Sequence, residues 1–492
     1  MGFSISFAGI VILILFVGTL YLYRKNISEQ FQRCFLFSTF VSICANLGYV
    51  FLIGEYEVDI TILMSVLMFF LDLRIFMRYG AKNILSLNII LFLISIFFST
   101  LPIVFFNIYE RSVPFGIDWD PCFGANAKSF PVITSIPFVQ FFGMLLRIVL
   151  FFCNIMALKT LHVGRLFVFK ILKVSKIVAI VFISLSFVEM FVANFVDQSL
   201  IRNFLINMFG GSTTSTYLQL REFMGIYLPL LTFKEPSAYV MCVIFLLLCE
   251  FLNFKIYHKF RNFITSSFLI LLLVISNTLS SVIYLGCFLL IVFVSTKNKI
   301  FKGIFIVLGI ASCFVFYSLY SSRIETIFDY INLLSVEDPS LLPATSEVIR
   351  LYSIFNNLKI FLKYPLFGYG LGSCYSYSGL ITCLANIGLL GLIQRIAIVI
   401  SSLKYFRFNS LSLLKGIIVF FIYYSVMGSM GLMVYIDYSF VIIVLLSSSS
   451  YCEINKLCKL SPIYDSQYSL YFKKSRKIKT KYATYDRISL NK

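Results

Sequence analysis

The sequence predicts an all-α fold, a polytopic helical membrane protein with about 12–14 transmembrane helices and large loops on one face. Three observations lead there. The 492 residues are 60% hydrophobic and only 13% charged, with a mean hydropathy of +0.93. Soluble domains sit near ~45–50% apolar and ~25% charged. Apolar runs of about 20 residues, the length that crosses a bilayer, recur along the chain. The charges segregate to alternate ends of these runs. Alternating β-barrel periodicity is absent, and the +19 net charge follows topology and attraction to anionic lipid rather than nucleic acid.

The runs place helices at 3–23, 32–53, 60–79, 84–106, 132–157, 177–196, 236–254, 263–276, 282–295, 301–320, 379–401, 416–434 and 438–452. The opening MGFSISFAGIVILILFVGTLYLYRKN has its positive charges after the apolar run, as expected of a first membrane helix and not of a cleaved signal peptide. Basic clusters at Arg24/Lys25/Arg33, Arg74/Arg78/Lys82, Lys159 to Lys176, Lys255/Lys259/Arg261, Lys297/Lys299/Lys302 and Lys404/Arg407/Lys415 share one side. That side is cytoplasmic, which sets the amino terminus outside and the tail inside. Two short runs, 263–276 and 282–295, are either tilted crossings or a re-entrant pair with SNTLSS at its tip. The chain thus reads as one membrane domain, 1–452, followed by a basic cytoplasmic tail, 453–492, carrying KKSRKIKTK. The twelve cysteines are scattered, with no metal-like spacing. Cys122 and Cys374 both fall in outer loops.

Three outer loops are long enough to hold a site: 107–131, 197–235 and 321–378. The first carries Trp119, the only tryptophan, between Asp118 and Asp120. The third ends in YPLFGYGLG, with Gly368, Gly370 and Gly372 on alternate residues after Pro365, ahead of an apolar run expected to be an unbroken helix. Such glycines allow positive φ and close approach, so their amides can cradle an oxyanion. Arg323 and Arg350 lie in the same loop and Arg221 in the second. A guanidinium binds a phosphate or carboxylate group bidentately where lysine offers a point charge. Pro236 and Ser237 suit a helix start, and Glu235 favours the positive end of its dipole. The rings of Trp119, Tyr369, Tyr375 and Tyr377 offer flat faces for stacking.

Pro-Leu-Phe-Gly-x-Gly-x-Gly followed by an apolar helix with Gly388-Leu-Leu-Gly391 resembles the signature of the O-antigen polymerase and ligase superfamily. Arg221, Gly225, Glu235, Pro236 and Ser237 are similar to its Arg-x-x-Gly…Glu-Pro-Ser segment, with one extra residue between Arg221 and Gly225. Arg350, fifteen residues before Pro365, falls where that superfamily often carries an arginine. Tyr377-Ser378 replaces the His-Asn pair common in ligases, and Ser276-Asn277-Thr278 replaces a Ser-Arg-Thr. These departures favour a polymerase over a ligase.

The resemblance implies an inner-membrane enzyme of polysaccharide biosynthesis (O-antigen or capsule) whose active site faces outward. It implies a polyprenyl-diphosphate-linked oligosaccharide as substrate, membrane lipid as surroundings, and a chain-length regulator and flippase as partners. Arg221, Glu235 and Arg350 would be catalytic; Arg323, Gly368, Gly370, Gly372 and Tyr377 would bind substrate. No metal or other cofactor is expected. The alternatives are an O-antigen ligase and a polysaccharide flippase or transporter. Four charges lie inside apolar runs: Asp72, with Arg74 close by, Arg147, Glu189 and Arg395. Glu189 is the candidate partner for either arginine, and a buried ion pair is the expected role.

Overall fold

The structure is a computed structural model. It describes residues 3–44, 49–53, 56–79, 138–161, 166–196, 236–257, 260–276, 279–295, 346–370, 378–403 and 410–426, with isolated residues and pairs between them. Eleven helices run through these residues. They are α1 (Phe7–Leu22), α2 (Ile27–Cys44), α3 (Ile60–Tyr79), α4 (Phe138–Thr160), α5 (Leu166–Phe195), α6 (Pro236–Tyr257), α7 (Phe260–Ile275), α8 (Leu279–Ser295), α9 (Ser346–Lys363), α10 (Gly379–Ser402) and α11 (Ser410–Val426). Two helical stretches, Phe167–Phe195 and Gly379–Ala397, are long and apolar enough to cross a membrane; α1, α7 and α11 contain shorter apolar ones.

The fold is helical as expected, with short strands added at two places among the described residues. Strands β1 (Phe3–Ile5), β2 (Tyr49–Ile53) and β3 (Tyr56–Asp59) form an antiparallel sheet in that order, with Phe3 opposite Ile53 and Ile53 opposite Tyr56. β4 (Glu222–Phe223) and β5 (Ile226–Tyr227) form a two-stranded hairpin. The predicted helix 32–53 therefore stops at Cys44. Its last residues, Tyr49-Val-Phe-Leu-Ile, are mostly β-branched or aromatic and pair as a strand. A hydropathy window does not separate a short apolar strand from a helix end. The first helix likewise starts at Phe7, because Ser6 caps it: its Oγ accepts the Gly9 N–H at 3.1 Å.

Helix α6 is the axis of the core. From Tyr239 to Cys249 nearly every side chain is buried, as expected of a helix apolar on all sides. Rings join it to three neighbours: Phe245 to Phe40 of α2 (5.6 Å), Tyr239 to Phe182 of α5 (5.3 Å) and Phe251 to Phe288 of α8 (5.6 Å). The Tyr239 hydroxyl donates to Ser186 Oγ at 2.9 Å. By contrast, α5 leaves Ile177, Val181, Leu185, Val188 and Phe195 exposed along one face. α7 and α8 meet at a buried polar tip, where Ser276 and Ser281 share a 2.6 Å hydroxyl contact.

One end of the bundle is pinned by charge. α5 runs eleven residues further back than the predicted 177–196, through Lys170, Lys173 and Lys176. The Lys170 ammonium donates to Glu29 and, at 2.9 Å, to Gln32 of α2; Lys176 donates to Asn262 of α7. Burial pushes the Glu29 carboxyl up, but Lys170 and Arg33 outweigh it and hold it below its ordinary value.

Candidate functional site

The site begins where α9 ends. This helix lies inside the stretch 321–378 expected to be a loop, and SEVIRLYSIFNNLKIFLK is too polar for a hydropathy threshold to find. Ile360 and Tyr369 are buried beside Ala385 of α10, and Asn357 is buried on the same helix as Ile360. Pro365, without an N–H, stops the helix. The Gly368 N–H donates to Tyr364 O at 3.0 Å, and Gly368 takes φ +73° to turn the chain back.

The returning strap, 365–370, runs antiparallel to α10 and fills a break in it. α10 is not the unbroken helix that the apolar run suggests: Gly388 sits at φ 66°, ψ −174°, a backbone region essentially restricted to glycine. Breaking a helix orphans amides and carbonyls on either side, and the strap satisfies them. Tyr369 N–H donates to Ala385 O (2.7 Å) and Gly370 N–H to Asn386 O (3.2 Å). In return, Leu389 N–H donates to Pro365 O (2.9 Å) and Leu390 N–H to Leu366 O (3.1 Å).

Two glycines make the crossing possible. A Cβ on Gly368 would lie 2.5 Å from Asn386 C, and one on Gly388 would lie 2.3 Å from Leu366 O and 2.5 Å from Gly368 N. Rings brace the strap from outside: Tyr364 against Tyr369 at 5.2 Å and Phe367 against Phe98 at 5.1 Å.

This geometry corrects the open anion cradle that the alternate glycines suggest. The amides of Gly368, Tyr369 and Gly370 donate to backbone carbonyls, and Tyr369 is buried, so its ring is not a free platform for sugars. Arg350 lies on α9, on the same continuous segment as the strap. Arg221 immediately precedes the β4–β5 hairpin, in which Glu222 pairs with Tyr227. Arg221, Glu235, Arg323, Gly372, Tyr377 and Trp119 fall outside the described residues, as do Cys122 and Cys374.

The charges inside the apolar runs have environments the sequence did not supply. Glu189 accepts the Leu231 N–H at 2.7 Å, holding the end of the second long loop against α5. Arg395 Nη1 donates to Cys383 Sγ at 3.7 Å, and its guanidinium lies 5.5 Å from the Phe151 ring centre. Asp72 is fully buried, its oxygens without a hydrogen-bond partner among the described residues, while the neighbouring Arg74 is exposed.

The chain matches no family model and no curated protein.

Proposed function

We propose that this chain is an inner-membrane polysaccharide polymerase. It would transfer a growing glycan from one polyprenyl-diphosphate carrier to a sugar hydroxyl of another lipid-linked repeat unit, on the outer face. The single observation that carries this reading is the Pro-Leu-Phe-Gly-x-Gly-x-Gly strap folded back into the break of an apolar helix. Irregular backbone at membrane depth is tolerated only inside protein or along a water-filled cavity. The lipid-facing setting itself is supported by the exposed apolar face of α5 and by the charge segregation.

The chemistry asks little of the protein. Diphosphate is a good leaving group. Its developing charge needs cations, the acceptor hydroxyl needs orienting, and one proton needs a base. Arg221, Arg323 and Arg350 supply the cations, two adjoining lipid sites the orientation, and Glu235 the base. The chain's two histidines, His162 and His258, fall in cytoplasmic basic stretches, so a carboxylate takes that role. With its amides engaged in the splice, the strap acts as scaffold and the cations of its own segment carry the anion binding.

A flippase is the second reading, favoured by one observation: discontinuous helices also build transporter substrate sites. A ligase is the third. Glycan profiling of a strain lacking the chain separates all three. Single-repeat caps on the lipid acceptor are the expected result. Absence of all attached glycan points to the ligase, and repeat units trapped on the cytoplasmic face point to the flippase.

A further inference from the structure

The strap ladder fixes how deep α9 reaches. Pro365 is level with Leu389, ten residues into α10, or about 15 Å along the helix axis. On the orientation proposed above, Gly379 lies near the outer boundary, where Ser378 Oγ donates to the Ser425 carbonyl at the end of α11. Half the ~30 Å hydrocarbon core then lies above Pro365. α9 and the strap together form a re-entrant hairpin: a helix ending near mid-membrane and a glycine-rich return.

The outward face of this hairpin has mixed chemistry. Asn357, Ile360 and Tyr364 point toward the protein, while Phe355, Lys359, Leu362, Lys363 and Leu366 are exposed. On a helical wheel Phe355 and Leu362 lie together and both lysines lie on one flank. Phe355, Leu362 and Leu366 are 40%, 67% and 54% exposed. Lys363 lies 5.5 Å from the Tyr364 ring centre, and neither lysine has an anionic partner among the described residues. An ammonium at that depth needs water or an anion beside it. An apolar stripe flanked by two cations fits an amphiphile that carries phosphate on a hydrocarbon chain.

We propose that this face is the carrier-lipid subsite: Lys359 and Lys363 hold the diphosphate of a polyprenyl diphosphate, and Phe355, Leu362 and Leu366 line the first part of its chain. The proposal rests on the polymerase reading and adds to it two lysines outside the arginine set. It also opens the subsite laterally to lipid, so a carrier enters from the bilayer.

The test uses the full-length protein in nanodiscs of zwitterionic phospholipid, with sugar-free polyprenyl diphosphate as probe. Wild type should bind it, and Lys359→Gln/Lys363→Gln should bind about ten-fold or more weaker, each lysine losing a charge-assisted contact. The Lys→Arg pair should retain affinity, and polyprenol should bind both forms equally. Lys363→Cys should react with a membrane-impermeant thiol reagent from the outer side, with bound polyprenyl diphosphate protecting it; this readout does not depend on the double variant folding. Unchanged affinity in the glutamine pair overturns the subsite, as does equal displacement by phosphatidylglycerol, which marks a headgroup contact only. Absence of any binding by wild type overturns the polymerase reading itself.

Discussion

Replacing Gly388 with alanine tests the spliced helix directly. The new Cβ would stand 2.3 Å from Leu366 O, 2.4 Å from Leu366 C and 2.5 Å from Gly368 N. All three are backbone atoms with no side-chain freedom to yield. The strap must therefore leave the break at this end, and the bonds from Leu389 and Leu390 to Pro365 and Leu366 go with it. Each contributes about 1 kcal/mol net, and alanine in the Gly388 conformation adds about 1–3 kcal/mol of strain. The sum, about 3–5 kcal/mol, is a large fraction of a typical total stability of about 5–15 kcal/mol.

Hydrogen exchange at the amides of Tyr369, Gly370, Leu389 and Leu390 reads this locally, without requiring two-state unfolding of the whole protein. At about 1.4 kcal/mol per decade, exchange should quicken between about a hundred-fold and a few thousand-fold. Gly286→Ala is the control. It lies within α8 with nothing near its Cβ, so it should leave the strap untouched and add about 0.5–1 kcal/mol of helix stability. Unchanged protection across the strap in Gly388→Ala, with α10 still helical, would refute the splice.

Arg221→Ala and Arg350→Ala should abolish chain extension with membrane protein levels near normal. Their lysine versions should be badly impaired too, and full activity of either lysine variant reduces that arginine to a surface contact. Cysteines at Ser212 and Ser340 should label with an impermeant reagent in intact cells whose outer barrier is opened; labelling only after lysis overturns the orientation. Glu29, held below its ordinary value by Lys170 and Arg33, contributes stability above the unfolded carboxylate value (~4.3) that is lost as pH falls through its lower folded value. The melting temperature should therefore fall on the acid side, and Glu29→Gln should flatten that limb by an amount equivalent to no more than about 1 kcal/mol. An identical acid limb in the variant removes Glu29 from the account.

What the sequence made legible was what hydropathy measures. α3 spans the expected 60–79, and α6, α7, α8 and α10 lie within three residues of their expected bounds. Strand β2 and helix α9 were missed for opposite reasons. Tyr49–Ile53 is apolar enough to pass for the end of a helix, whereas α9 carries Asn356, Asn357, Lys359 and Lys363 and looks like a loop. Both failures have one cause: a window average discards which face each residue takes. The glycine motif was visible, but its purpose was not. Gly368 and Gly388 are twenty residues apart, and only the three-dimensional crossing reveals that each is small because the other segment's backbone occupies its Cβ position.

That crossing changes which residues can answer for the chemistry. A glycine loop with free amides would bind diphosphate through backbone alone, and substitutions elsewhere on the segment would matter little. Here the Tyr369 and Gly370 amides answer the carbonyls of the upper half of α10, and the Pro365 and Leu366 carbonyls answer the amides of the lower half. The ladder is fully reciprocal, so an anion could recruit those amides only by reopening the helix break, at a cost of several hydrogen bonds. On the reading proposed above, the anion-binding work then falls to side chains carried by the same segment, the exposed Lys359 and Lys363 and the Arg350 further up α9. In that proposal the glycines serve by holding α9 against α10, so that those cations would meet a lipid-borne diphosphate. On this account a strap glycine variant and a lysine variant lose the same activity by different routes. Only the glycine variant loosens exchange along 365–370, and only the lysine variant weakens carrier binding with the splice intact.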